Sequence, residues 1–331
     1  PTELSFCSYV SFYKQIAPTG ATSLFFIGFF KKLKCYKNSN MFINEMFFIF
    51  IPYAIFFILG LTIGSFLNVC IYRMPENKSI VFPRSFCPNC NTLIRWHDNI
   101  PLLSYALLWG RCRTCGIRIP VRYPLVELLT GYIFIHLYYT FLQCRHESLC
   151  VYISYAFLCC SLIIATFIDI KSFIIPDKIT FLGIPLAFIL SFMCPDLHNA
   201  SHTLRDFSFI GISRLDAVIS SAIGMITGGG LMLLCIILGK LLLKKDAMGY
   251  GDVKLMCMIG GFVGWKLSVA IFFVAPFFSL LMAVPVLIFK KSHLIPYGPF
   301  LSLAALICIL LQDYFIKWIN LYVGIFKMVI A

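Results

Sequence analysis

Four cysteines and two aspartates carry most of the chemistry open to this chain. Cys87-Pro88-Asn89-Cys90 and Cys112-Arg113-Thr114-Cys115 are two C-x-x-C pairs. Their separation is close to that of a zinc ribbon, in which each pair forms a knuckle that presents two sulfurs to one metal. Four thiolates complete a tetrahedral zinc shell and leave no position for a catalytic water, so a metal held by Cys87, Cys90, Cys112 and Cys115 would be structural. Redox dithiols or a pair of disulfides are the rival readings; the basic charge of the loop, which places it in the reducing cytoplasm, argues against them.

Asp169 directly follows a long apolar run in Phe167-Ile168-Asp169-Ile170-Lys171, and Asp252 opens another in Gly249-Tyr250-Gly251-Asp252-Val253-Lys254. A carboxylate at a membrane boundary is costly and is usually kept for ion transport, proton relay or acid–base catalysis. Two such groups brought close from different helices cannot both ionise easily. One keeps a proton while the other, as a carboxylate, activates water for attack on a peptide carbonyl, which is the chemistry of aspartic proteases. The plainer reading pairs each aspartate with its neighbouring lysine, Lys171 or Lys254. Asp177 is set apart from Asp169 by the helix-breaking Pro176 and reads as an N-cap for the next helix. Gly249 and Gly251 would let the backbone turn and leave space beside Asp252 for an extended substrate strand. A lone GxGD tetrapeptide is a weak signal.

The elements that must position these groups are membrane helices. Of 331 residues, 60% are hydrophobic and 12% charged, against about 45–50% and about 25% in soluble domains. With a mean hydropathy of +0.90, a soluble globule is excluded, and an all-α polytopic membrane protein with about eight transmembrane helices is expected. The apolar segments are 47–71, 124–142, 150–168, 179–193, 215–243, 253–264, 267–289 and 295–311. Between the first two, the loop carries Arg73, Lys78, Arg84, Arg95, Arg111, Arg113, Arg118 and Arg122 against only Glu76 and Asp98. By the positive-inside rule this zinc-ribbon-like loop domain is cytoplasmic, which also brings Asp169 and Asp252 to the cytoplasmic boundary. The net charge of +13 therefore reports orientation, and no nucleic-acid partner is expected; the partner implied by composition is the lipid bilayer. Small residues Gly224, Gly228, Gly229 and Gly230 allow close helix approach.

The expected organisation is an uncertain extension or misassigned start at 1–40, a first transmembrane helix at 41–71, the zinc-binding loop domain at 72–123, a transmembrane domain with both aspartates at 124–311, and an interfacial tail at 312–331. Most of the fifteen cysteines lie in apolar runs and read as core residues, with Cys144 and Cys150 a weak disulfide candidate. Asn68 reads as a helix-to-helix hydrogen-bonding residue, His136 as a core or interface histidine, and Glu127 as either a partner of Arg122 or a receptor for a positively charged substrate group.

In order and spacing, these residues resemble the type IV prepilin peptidases. The resemblance is carried in the first half by Gly60-Leu61-Thr62-Ile63-Gly64-Ser65-Phe66-Leu67-Asn68-Val69, Arg73, Pro75, the two C-x-x-C pairs, Asp98-Asn99-Ile100-Pro101-Leu102-Leu103-Ser104-Tyr105, Gly110-Arg111-Cys112-Arg113 and Arg122-Tyr123-Pro124-Leu125-Val126-Glu127. In the second half it is carried by Asp169, Ile175-Pro176-Asp177, Gly249-Tyr250-Gly251-Asp252-Val253-Lys254-Leu255 and Pro296-Tyr297-Gly298-Pro299-Phe300. The resemblance implies a bifunctional enzyme of the bacterial inner membrane. Such an enzyme cuts the basic leader from type IV prepilins or pseudopilins on the cytoplasmic side, then N-methylates the new terminus with S-adenosylmethionine. It implies Asp169 and Asp252 as the catalytic pair of a GxGD-type aspartic peptidase and the four cysteines as zinc ligands. No S-adenosylmethionine site can be derived from the residues; Gly110 is the candidate, against an equal reading as a turn before Cys112. The alternatives are a GxGD membrane peptidase without methyl transfer and an ion-coupled transporter, the latter disfavoured because both carboxylates lie at one membrane face.

Overall fold

The computed structural model describes residues 39–201, 213–244, 249–290, 296–312, 314–319 and 321. The 1–40 extension therefore lies outside the described residues, apart from its last two. The chain divides into two units, Pro1–Ala54 and Ile55–Ala331, and the groups discussed below belong to the second.

Among the described residues the architecture is helical, with no strands and two isolated bridges inside the cysteine loop. The helices are α1 (Ser39–Arg73), α2 (Leu103–Leu107), α3 (Arg122–Leu137), α4 (Leu149–Ser172), α5 (Asp177–Met193), α6 (Ser213–Leu243), α7 (Tyr250–Lys290) and α8 (Gly298–Leu310). α3 runs on through π-type turns at Tyr138–Cys144. Among the described residues, five stretches are long and apolar enough to cross a membrane: Phe50–Arg73, Arg122–Cys144, Leu149–Ser172, Arg214–Leu242 and Tyr250–Met282. Where the sequence suggested eight spans, α5 and α8 are shorter than that measure, with 17 and 13 residues, and the two segments 253–264 and 267–289 form one element, α7.

α7 is interrupted at Gly264, whose φ of 77° and ψ of 174° only glycine adopts readily. An unbroken helix of 41 residues would be about 60 Å long. That length would carry α8 far from the start of α7, yet Gly298 bonds Asp169, and Asp169 interacts electrostatically with Asp252 in the first turn of α7. The chain therefore folds back at Gly264, giving two limbs.

α6 packs closely on the first limb. A Cβ on Gly228 would lie 2.7 Å from the Met256 carbonyl oxygen, and Gly224 and Gly260 face one another too closely for any side chain. Ser221 Oγ donates to the Gly261 carbonyl at 2.9 Å across the same contact. Of the four glycines expected to permit close approach, Gly230 alone faces open space. α1 meets α3 in the same manner, since a Cβ on Gly60 would fall 2.7 Å from Gly131 Cα.

At the end of the bundle away from Asp169, a disulfide joins Cys150, in the first turn of α4, to Cys194 just beyond α5. This replaces the expected Cys144–Cys150 candidate: Cys144 is a free, exposed thiol. α5 returns antiparallel beside α4, so the partner comes from the neighbouring helix end and not from the adjacent turn.

Candidate active site

Asp169 lies in the last full turn of α4. Phe173 ends that helix with a left-handed φ of 54°, its amide donating to the Asp169 carbonyl at 2.9 Å, and Pro176 prevents the helix from continuing. Asp252 lies in the first turn of α7, its own amide donating to the Gly249 carbonyl at 3.2 Å. Both side chains are buried, 5% and 7% exposed, and the two carboxyl groups are close enough to act on one another electrostatically. The sequence-predicted pair is thus brought together from helices 83 positions apart in the chain (252 − 169).

The third component is Gly298, the first residue of α8. A helix start leaves amides with no intrahelical acceptor. Pro299 has no N–H, and the amides of Phe300 and Leu301 turn back onto the Tyr297 carbonyl. The Gly298 amide instead donates to Asp169 Oδ2 at 3.0 Å in a buried bond. A Cβ at Gly298 would stand 2.6 Å from that oxygen. Ile175 forms the wall between the two aspartate-bearing segments: a Cβ on Gly251 would lie 3.2 Å from Ile175 Cβ, and one on Gly298 would lie 3.4 Å from its Cδ1. Gly298 and Ile175 both lie within the motifs above, but local sequence shows no role for either. The legible signal was Gly-Pro at a helix start, a place where a backbone amide is free to bind an anion.

Two expectations change here. Asp177 is the first residue of α5, and the N-cap position is held by Pro176; the Asp177 carboxylate accepts from Lys254 Nζ at 2.7 Å. Lys254, the partner of Asp252 in the plainer reading, is therefore engaged elsewhere, because two residues along the helix place it about 200° around the axis from Asp252. Gly251 opens no space for a substrate strand, since it faces Ile175, whereas a Cβ on Gly249 would reach to 3.8 Å of Asp252 Oδ2.

The cysteine loop folds into two knuckles of the same pattern. The Cys87 amide donates to the Thr92 carbonyl at 3.0 Å and the Cys112 amide to the Ile117 carbonyl at 2.9 Å. The fifth residue of each turn, Asn91 or Gly116, takes a left-handed conformation and returns its amide to the first cysteine's carbonyl. All four sulfurs lie within 4.8 Å of one another, with Cys87 Sγ and Cys115 Sγ 3.8 Å apart. Zinc–sulfur bonds of about 2.3 Å in a tetrahedron set sulfur pairs about 3.8 Å apart, so the set fits a metal of that kind. Burial pushes the Cys87 thiol up to about 11. Hydrogen bonds from Thr92 bring Cys90 down to about 6, and the Cys115 and Thr114 amides lower Cys112.

Around the knuckles, Arg113 binds Asp98 with Nε to Oδ2 at 2.9 Å and Nη2 to Oδ1 at 2.6 Å. Buried Arg73 donates to the Ser79 and Pro83 carbonyls at 3.0 and 2.8 Å. Gly110 has φ 64° and sits under the Tyr105 ring, where a Cβ would meet Tyr105 Cζ at 2.9 Å, a position that requires glycine on either reading of its role. Glu127 does not pair with Arg122: its Oε2 accepts the Leu102 amide at 2.9 Å. Asn68 Nδ2 donates to the Tyr123 carbonyl at 3.0 Å, bridging α1 to α3 as expected. His136 Nδ1 and Thr140 Oγ1 are 3.1 Å apart within one helical turn.

Residues 58–141 match the family described as Bacterial Peptidase A24 N-terminal domain, and residues 156–284 match the Type IV leader peptidase family. Among curated proteins, the prepilin leader peptidase/N-methyltransferase of Aeromonas hydrophila is 31% identical over 80% of this chain and 93% of its own length. The protein of that name from Neisseria gonorrhoeae is 31% identical over 77% of this chain and 89% of its own length. The one from Myxococcus xanthus is 36% identical over 65% of this chain, a match that spans 57% of that relative. No solved structure matched.

Proposed function

Because the chain belongs to the type IV leader peptidase family, we propose that Asp169 and Asp252 are the carboxylates with which it removes the leader peptide from a prepilin or pseudopilin. The observation that carries this is the meeting of two buried aspartates beside a backbone amide that holds one of them. In the proposed reaction the ionised carboxyl group takes a proton from water as the water oxygen attacks the scissile carbonyl. The protonated partner donates to the carbonyl oxygen. As the C–N bond breaks, the leaving amine takes the proton that came from water and the former carbonyl oxygen returns its proton to the partner, which restores the starting pair. The Gly298 amide, donating to Asp169 Oδ2, holds that carboxyl group in one orientation for the reaction.

In the same proposal the four cysteines hold zinc, which orders the two knuckles and takes no part in a chemical step. S-adenosylmethionine would supply an electrophilic methyl group to the new N-terminal amine, and the first half of the chain, including Gly110, serves that second activity. The bundle end bearing Asp169, Asp252 and the basic loop is assigned to the cytoplasmic side of the bacterial inner membrane. The Cys150–Cys194 disulfide at the opposite end then lies in an oxidising compartment, as disulfides require.

Purified protein in lipid, given a synthetic prepilin peptide and labelled S-adenosylmethionine, is expected to release the leader and label the mature terminus. Cleavage without label would favour a peptidase lacking methyl transfer, and neither product would refute the function. Chelating the metal, or Cys87→Ser, is expected to lower bound zinc and methylation far more than cleavage, because the knuckles lose the bond set that folds them; equal loss of both activities would remove the division between halves. Asp177→Ala removes an ion pair whose members are both substantially exposed. Its expected cost is at most about 1 kcal/mol, with cleavage rates staying within a few-fold in the same assay.

A further inference from the structure

The short helix α2 has its polarity inverted. Ser104 is its buried residue, while Leu103 and Leu107, which share a face at i and i+4, are turned outward, Leu107 being 69% exposed. Trp109 follows directly and is 88% exposed, held out by a left-handed φ of 53°. A loop helix in water would bury such residues and expose the serine.

The depth of this helix is fixed by a second observation. The amide of Leu102, immediately before α2, donates to Glu127 Oε2 at 2.9 Å. Glu127 lies five positions into α3, which begins at Arg122, or about 7 Å along its axis, and the stretch Arg122–Cys144 is of spanning length and hydropathy. The start of α2 is therefore level with the second turn of a membrane helix and not with the aqueous part of the loop. The same loop exposes Arg95, Arg111 and Arg118. α3 and α4 are joined by a short turn, so the beginning of α3 and the Asp169 end of α4 occupy one end of the bundle.

We propose that Leu103, Leu107 and Trp109 lie in the lipid interface at the end of the bundle that holds Asp169 and Asp252, with Arg95, Arg111 and Arg118 directed at anionic headgroups. Apolar side chains with a tryptophan, rimmed by arginines, are the chemistry of an interfacial membrane anchor. Such an anchor holds the cysteine knuckles against the membrane, where a substrate segment leaving the bilayer would meet both halves of the protein.

The test is fluorescence quenching of the full chain in phosphatidylcholine vesicles, with and without phosphatidylglycerol, whose acyl chains are brominated or plain. Subtracting the Trp109→Phe protein isolates the Trp109 signal, and retained zinc content in that variant reports its fold. The expected result is that Trp109 loses most of its emission in brominated vesicles, is barely quenched by aqueous iodide, and is quenched further when phosphatidylglycerol is present. Free quenching by iodide with none from bromine would overturn the proposal. Shielding from iodide that arises only on adding a prepilin peptide would also overturn it, identifying the face as a dock for substrate. Insensitivity to phosphatidylglycerol would overturn the role given to the arginines.

Discussion

Asp169→Asn and Asp252→Asn are each expected to lower cleavage of a prepilin peptide by about 10²- to 10⁴-fold, the range over which a positioned acid or base contributes. Asparagine has almost the same shape, and its amide oxygen can still accept the Gly298 N–H that now reaches Asp169 Oδ2 at 3.0 Å. The helices and their packing should therefore survive, and what is lost is the capacity to exchange a proton. A peptide already lacking its leader separates these effects, because its methylation by either variant should stay close to that of the parent protein. Single-turnover cleavage with excess enzyme is the measurement. Substantial cleavage by either variant would show that the two buried carboxyl groups are not the proposed acid–base pair. Loss of both activities would point to misfolding, and Asp→Glu variants, which keep the acid but move it, would then decide between the two causes.

Gly298→Ala is expected to reduce kcat by roughly 10²-fold with little change in KM. The added methyl would stand 2.6 Å from Asp169 Oδ2 and 3.4 Å from Ile175 Cδ1. Since Ile175 is itself buried, the carboxylate is the group that must give way. A displacement of about 1 Å at a reacting group can cost about 10²-fold. Gly298 is not in the left-handed region, so alanine imposes no backbone strain, and the effect is confined to the contact. As a positioning residue acting through Asp169, Gly298 should also alter the pH dependence of kcat when its amide is displaced, which a general loss of stability would not do. An unchanged rate and profile would separate this amide from the proposed chemistry.

Features that depend on residues near one another in the chain were legible before any coordinates. The two knuckles follow from cysteine spacing, and the structure adds that Asn91 and Gly116 take the left-handed turn each knuckle needs. The helical segments follow from apolar runs, and their ends from Pro176 and the flanking charges. The two aspartates stood out because carboxylates are scarce and expensive beside apolar helices. Asn68 as a bridge between helices was also anticipated, since a buried amide must find a partner.

The pairings across the fold were not legible. The Gly298–Asp169 bond joins residues 129 positions apart and the Lys254–Asp177 pair residues 77 apart. The Cys150–Cys194 bond spans 44. Hydropathy makes apolar helices nearly interchangeable and says little about which faces meet. Here those faces are selected by where a glycine lets one backbone approach another, as Gly224 does at Gly260 and Gly60 at Gly131, and by the reversal within α7 at Gly264. The sequence thus determined a helical membrane chain with a four-cysteine loop and two boundary aspartates. Only the packed structure decided that an amide at the head of α8 holds one of them, that Lys254 serves Asp177, and that α2 reaches the level of the membrane helices. Those outcomes rest on shape complementarity between distant surfaces, a property that neither composition nor local spacing encodes.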